Sequence, residues 1–228
     1  IASRAVWQDA SRLTATEAKL SNTFAPFGLT PFGHRDGSPP TMGMSKFVMN
    51  SSYATSVFTG DLVSFSSALP GVIVQFSSAG TVEPPLGVFQ GCEYFNTTVN
   101  RVVWSPYFPA SAGSSSPVTA YVIDDPEMTF LVQASTSAVI GSSNTGSLIA
   151  GVTTGTGNTL TGRSALSADA SVTGLSSLGL GFLRIWDSYA NFAPPGANGT
   201  DTTAAGQWLI VQPNGWVRNT VTITGITS

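Results

Sequence analysis

Between residues 46 and 134 the chain is cut into short β-branched and aromatic runs, each stopped by glycine, proline, serine or acidic residues. Lys46-Phe47-Val48-Met49, Ser56-Val57-Phe58 and Leu62-Val63-Ser64-Phe65 come first, the last entered from a Gly60-Asp61 turn signal. Val72-Ile73-Val74-Gln75-Phe76, Leu86-Gly87-Val88-Phe89, Val102-Val103-Trp104, Ala120-Tyr121-Val122-Ile123 and Met128-Thr129-Phe130-Leu131-Val132 follow. Such runs are too short for helices, and breakers recurring every ten residues or so are the pattern of a sandwich or barrel. The expected fold is therefore all-β, a sandwich or barrel of short antiparallel strands.

Two local signals predict hairpins. Asp124-Asp125-Pro126-Glu127 joins two apolar runs through turn chemistry. Pro213-Asn214-Gly215 separates the strand-like 207–211 from 216–223 and ends on the dipeptide most typical of tight hairpins, with Trp208 and Trp216 on either side. Residues 135–180 are rich in Ser, Thr, Gly and Ala, and periodicity does not decide between edge strands and excursion loops there.

The first 45 residues differ. A short helix is expected over 9–20, capped by Asp9 or Ser11. Phe24-Ala25-Pro26-Phe27-Gly28-Leu29-Thr30-Pro31-Phe32-Gly33 and Pro39-Pro40 then carry too much proline and glycine for a helix or a central strand. Exposed aromatics on such a segment normally lie against something else. Residues 1–45 therefore read as an extended, mostly irregular arm that docks on a neighbouring subunit, with Phe24, Phe27, Leu29 and Phe32 as docking residues, any one of which could instead close the chain's own barrel. Residues 46–228 read as the β-rich domain, divisible into a core at 46–134 and a second β portion at 135–228.

Composition narrows the function. Only 9% of the residues are charged, so Ser, Thr, Asn, Gln and Gly must cover the surface. Hydroxyls and amides cost far less to desolvate than ions, which suits a surface that ends against other subunits. Net charge is −3 and the nine Lys and Arg are scattered, so no basic stripe exists to displace phosphate counterions and no nucleic-acid partner is expected. No apolar run reaches the ~20 residues of a membrane helix, and the N-terminus lacks a signal peptide's apolar core, so no membrane partner is expected either.

Cys92 is alone, which excludes an internal disulfide framework and a multi-cysteine metal site, and it reads as a small buried apolar residue. His34 is the one histidine, on a Gly/Pro-rich segment without a G-x-S-x-G elbow, and reads as a loop residue rather than a triad member. Gly157-Asn158-Thr159-Leu160-Thr161-Gly162-Arg163-Ser164 nearly matches a phosphate-binding loop, but Arg stands for Lys and no strand–helix context surrounds it, so a turn is expected. Asp124-Asp125-Pro126-Glu127 lacks the spacing of a calcium loop and reads as a turn with solvated acids. Aromatics make up 10% of the chain, an ordinary share, so packing explains most of what a sugar platform would need. Asn50, Asn96 and Asn198 head N-x-[ST] sequons that matter only in a secreted eukaryotic protein. No catalytic residue, cofactor or metal is expected.

The segments taken together resemble a family of tailed-bacteriophage head decoration (cement) proteins. Ala25-Pro26-Phe27-Gly28-Leu29-Thr30-Pro31 is similar to that family's N-terminal PFGLRP entry, and Pro85-Leu86-Gly87-Val88-Phe89-Gln90-Gly91-Cys92-Glu93-Tyr94 to its GVFxGCxY. Tyr53-Ala54-Thr55, Phe58-Thr59-Gly60-Asp61-Leu62-Val63, Trp104-Ser105-Pro106-Tyr107-Phe108-Pro109, Ala120-Tyr121-Val122-Ile123-Asp124-Asp125-Pro126 and Phe130-Leu131-Val132-Gln133-Ala134 keep the order and spacing. The match covers 25–134 and, loosely, 157–222; the first 20 residues and 187–206 depart from it. The resemblance implies a β-rich structural protein, not an enzyme, that forms a homotrimer on the outer surface of the virion capsid and binds the major capsid protein. The rival expectation is a tail-associated or receptor- or glycan-binding β module.

Overall fold

The computed structural model describes residues 22–40, 43–77, 84–110, 112, 117–137, 139–140, 144–149, 151–169, 173–174 (backbone only), 181–189 and 201–217. The helix expected over 9–20 lies outside them.

The architecture is all-β. Strands β1 (Thr30–His34), β2 (Ser45–Met49), β3 (Val57–Phe58), β4 (Leu62–Phe65) and β5 (Val72–Gln75) are followed by the long β6 (Pro85–Asn96). Then come β7 (Arg101–Ser105), β8 (Tyr107–Phe108), β9 (Val118–Ile123) and β10 (Met128–Gln133). The undecided 135–180 region contains four two-residue strands: β11 (Leu148–Ile149), β12 (Val152–Thr153), β13 (Ser167–Ala168) and β14 (Thr173–Gly174). β15 (Leu183–Ser188) and β16 (Trp208–Pro213) complete the order.

Five strands close a barrel in the order β4-β5-β2-β9-β6, with β6 returning to β4. All its pairs are antiparallel except β2–β5, which is parallel and joined through β3 and β4. Closure depends on the twelve residues of β6. Its first part pairs with β4, while its last part runs on to pair with β7. The register against β9 slips between Phe89 and Gly91. Gly91 has φ 148°, and an added Cβ there would come within 2.8 Å of the Trp104 ring and 2.9 Å of the Ser105 carbonyl. Only glycine fits this bulge.

A second, open sheet runs β1-β10-β16-β15-β11-β14. Alternation along the barrel strands builds two cores. Val63, Phe89 and Val122 point into the barrel with Met49, Ile73 and Cys92. Their neighbours Leu62, Val88 and Ile123 point the other way, onto the inner face of the open sheet: Met128, Phe130, Val132, Leu183, Ile185, Leu209 and Val211. One barrel wall thus serves both cores, so both faces of β4, β6 and β9 are dry over that stretch.

Both expected hairpins are corrected. β9 is flanked by β2 and β6, and β10 by β1 and β16, so neither has an edge left for the other. The 124–127 turn therefore carries the chain from barrel to open sheet. After β16, Asn214 and Gly215 turn the chain, but β16 already lies between β10 and β15 and has no edge left for a returning strand; residues 218–223 lie outside the described residues. Trp216 is buried in the inter-sheet core instead, its Nε1–H donating to the Phe182 carbonyl at 2.9 Å and its ring 5.9 Å from that of Phe130. The expected arm also enters the fold: β1 pairs along β10 from Thr30↔Leu131 to His34↔Met128.

Candidate docking surface

The four residues expected to dock take three different positions. Leu29 is corrected: at 1% exposure it sits in the inter-sheet core, its N–H donating to the Gly60 carbonyl at 2.8 Å. The chain can pass this close to Gly60 because residue 28 is glycine. A Cβ there would meet Ser164 Cβ at 2.7 Å and the Gly60 carbonyl oxygen at 2.9 Å, and φ is 76°. Phe24 and Phe32 remain surface residues, 45% and 38% exposed. Phe27 is half-buried, edge-on to Trp208 with ring centres 5.4 Å apart.

Phe27 and Phe32 are brought into one row. Trp208 lies 5.4 Å from Tyr189, and Tyr189 lies 6.1 Å from Phe32. The row Phe27–Trp208–Tyr189–Phe32 crosses the outer face of the open sheet, away from the core. Ile210, two residues along β16 from Trp208 and on the same face, is buried, which requires cover on that side. Successive rings are turned by 79°, 46° and 84°, so the two outer contacts are edge to face and the middle one is tilted. Trp208 and Tyr189 were not among the expected docking residues. A tryptophan at a strand start signals burial on one face or the other, and nothing local says which.

Two side-chain amides fasten the start of this segment. The fully buried Gln133 accepts from the Ala25 N–H at 2.9 Å and donates to the carbonyls of Thr23 at 2.8 Å and Gly206 at 2.9 Å. Asn22 Nδ2 faces three carbonyls of the 201–205 loop, those of Asp201, Ala204 and Ala205, at 2.9, 3.3 and 3.2 Å. Asn22 Oδ1 in turn accepts from the Asp201 N–H at 3.2 Å.

A third attachment lies at Asp61. Its buried carboxylate accepts from the Phe58 N–H at 2.8 Å, Gln75 Nε2 at 3.0 Å and the Ser164 hydroxyl. The Leu166 carbonyl meanwhile accepts from the Gly28 N–H at 3.1 Å. Barrel, arm and the 158–166 loop thus meet around one carboxylate. Burial pushes its pKa above the ordinary value, against the pull of these three donors.

The chemical candidates are accounted for by local contacts. In the near-match to a phosphate loop, Asn158 Oδ1 accepts from the N–H groups of Leu160 and Thr161, an Asx turn, and Ser164 is committed to Asp61. His34 Nδ1 lies 3.7 Å from Asp125, and Arg35 pairs with Glu127 at 3.0 Å. Asp125 Oδ1 caps the Glu127 N–H, and Asp124 takes the Ser45 hydroxyl, so these acids face different partners. Among the described residues no three His, Cys, Asp or Glu side chains are grouped to hold a metal ion. Cys92 is buried in the barrel, which pushes its thiol up to about 12.

Comparison with family models, curated proteins and solved structures finds no match to this chain.

Proposed function

We propose that this chain is a structural head decoration, or cement, protein that binds the outside of a phage capsid and bridges major capsid protein subunits as a homotrimer, without catalytic activity. The observation that carries this reading is the segment 22–34. The segment is fastened to the 201–205 loop by Asn22 and to the open sheet by Gln133 and the β1–β10 ladder, while Phe24 and Phe32 stay exposed along it. A rigidly backed row of aromatics loses little conformational entropy on docking, which favours a firm contact per unit area. The 9% charge content works in the same direction, because a polar, uncharged surface is cheap to bury against a shell. Binding only to the assembled shell stabilises that state by linkage, and several contacts per trimer multiply the effect.

The test is titration of purified protein onto expanded capsids stripped of it, reading bound copies and shell melting temperature. Saturable binding that raises the melting temperature is expected. Absence of both, with binding to cells or glycans instead, would replace this reading with the tail-associated or receptor-binding one.

A further inference from the structure

Among the described residues, the most exposed apolar side chains on a strand lie not in the aromatic row but on the last strand of the barrel sheet. On β7, Val102 is 65% exposed and Trp104 60%, and they point to the same outer face, beside Phe95 and Glu93 of β6. β7 ends its sheet, so among the described residues its far edge has no strand partner. An exposed, apolar edge strand invites pairing with another strand, and natural proteins normally blunt it with charge or proline. Here the two edge residues facing outward are valine and tryptophan.

The sequence of β7 selects the occupant. We propose that β7 pairs antiparallel with β7 of a second copy of this chain, across a two-fold axis at Val103. In that register Val102 faces the second copy's Trp104 and the reverse, an aromatic–β-branched cross-strand pair formed twice. Arg101 faces the second copy's Ser105, so no like charges meet. Shifting by two residues one way puts Trp104 against Asn100, a turn residue with φ 51°. Shifting the other way puts Val102 against Pro106, which has no N–H for a ladder. The shifted registers keep a single apolar pair, Val102 with Val102 or Trp104 with Trp104, whereas the Val103-centred register gives both outward residues of each copy an apolar partner.

Area sets the strength. The two side chains supply about 250 Å² of apolar surface per copy, roughly 500 Å² for the pair, against ~1,600 Å² in a standard stable interface. The pairing is therefore weak in dilute solution and forms at high concentration or where copies are held side by side. It needs only a second copy of the chain and does not depend on the decoration reading.

Disulfide trapping tests the register. Directly opposed Cα atoms in an antiparallel pair are about 4.5–5.5 Å apart, within disulfide range. Val103→Cys is expected to form a disulfide-linked dimer on mild oxidation roughly tenfold faster than the exposed control Ser38→Cys, because pairing raises the local thiol concentration. Adding Trp104→Lys to Val103→Cys should remove that advantage. Equal rates for Val103→Cys and Ser38→Cys, or an advantage that survives Trp104→Lys, would overturn the proposal. Sedimentation serves as a second measurement without any cysteine. The weight-average mass of the native protein should rise with concentration while Trp104→Lys stays flat, and parallel behaviour of the two refutes the pairing.

Discussion

Asp61 sets burial against hydrogen bonding in one carboxylate, and two substitutions separate the terms. The partners of the Asp61 carboxylate are the Phe58 N–H, the Gln75 amide and the Ser164 hydroxyl, so it is held by dipoles and not by a cation. In Asp61→Ala the Phe58 N–H loses its acceptor in a buried setting, and the Ser164 hydroxyl loses its own, while half-buried Gln75 can turn to water. One or two orphaned buried groups at ~1–3 kcal/mol each suggest a loss of about 3 kcal/mol. For a chain of this size that corresponds to a melting temperature lower by roughly 6–12 °C. Asp61→Asn keeps an oxygen for Phe58 and removes the charge, so its effect should depend on pH. The unfolded carboxyl ionises near 3.8, whereas burial raises the folded value. Below 3.8 both states are protonated. As pH rises past that point the unfolded state releases its proton first, and the native protein loses stability until pH exceeds the folded value. Asp61→Asn has no such loss. Its melting temperature minus that of the native protein should therefore climb as pH is raised from about 3 to about 7, with every other group cancelling in the difference. Differential scanning calorimetry on both proteins over that range reads it directly. A difference that stays level or falls with pH would show that the three donors outweigh burial, and would refute the reasoning.

The arm residues divide in the same way under mutation. Leu29→Ala should cost about 2–5 kcal/mol in denaturant unfolding, as for other buried leucines, whereas Phe24→Ala should leave stability within about 0.5 kcal/mol and act only on docking to stripped capsids. Equal melting temperatures for the two variants would contradict the assignment of Leu29 to the core. Cys92 should resist a thiol reagent such as DTNB in the native protein at neutral pH and react fully in denaturant, because burial disfavours its thiolate. Stoichiometric labelling of the folded protein would show that the barrel opens readily around it.

Much of the architecture follows from local pattern. Runs such as Leu62-Val63-Ser64-Phe65 and Met128-Thr129-Phe130-Leu131-Val132 are strands because β-branched and aromatic side chains suit a pleated surface and the intervening glycines and prolines end each run. The turn at 158–163 and the burial of Cys92 were legible from local chemistry: Asn and Gly act on their own backbone, and Cys92 stands in an apolar run with alternating faces. Partner choice was not legible. The 124–127 turn looks alike whether it closes a hairpin or carries the chain between sheets, because pairing depends on which edges β2, β6, β1 and β16 have already filled. Nor could composition separate Leu29, drawn into the core by a close crossing at Gly28 and Gly60, from Phe24 and Phe32 beside it on the surface. The sequence by itself determined that this chain is a charge-poor assembly of short strands, since period-two alternation and breakers act over a few residues. Only the tertiary structure decided which face of each strand is dry, that Phe27 and Phe32 share a row with Trp208 and Tyr189, and that Trp104 is left exposed. Burial is a property of residues distant in the chain, and neighbours in sequence do not encode it.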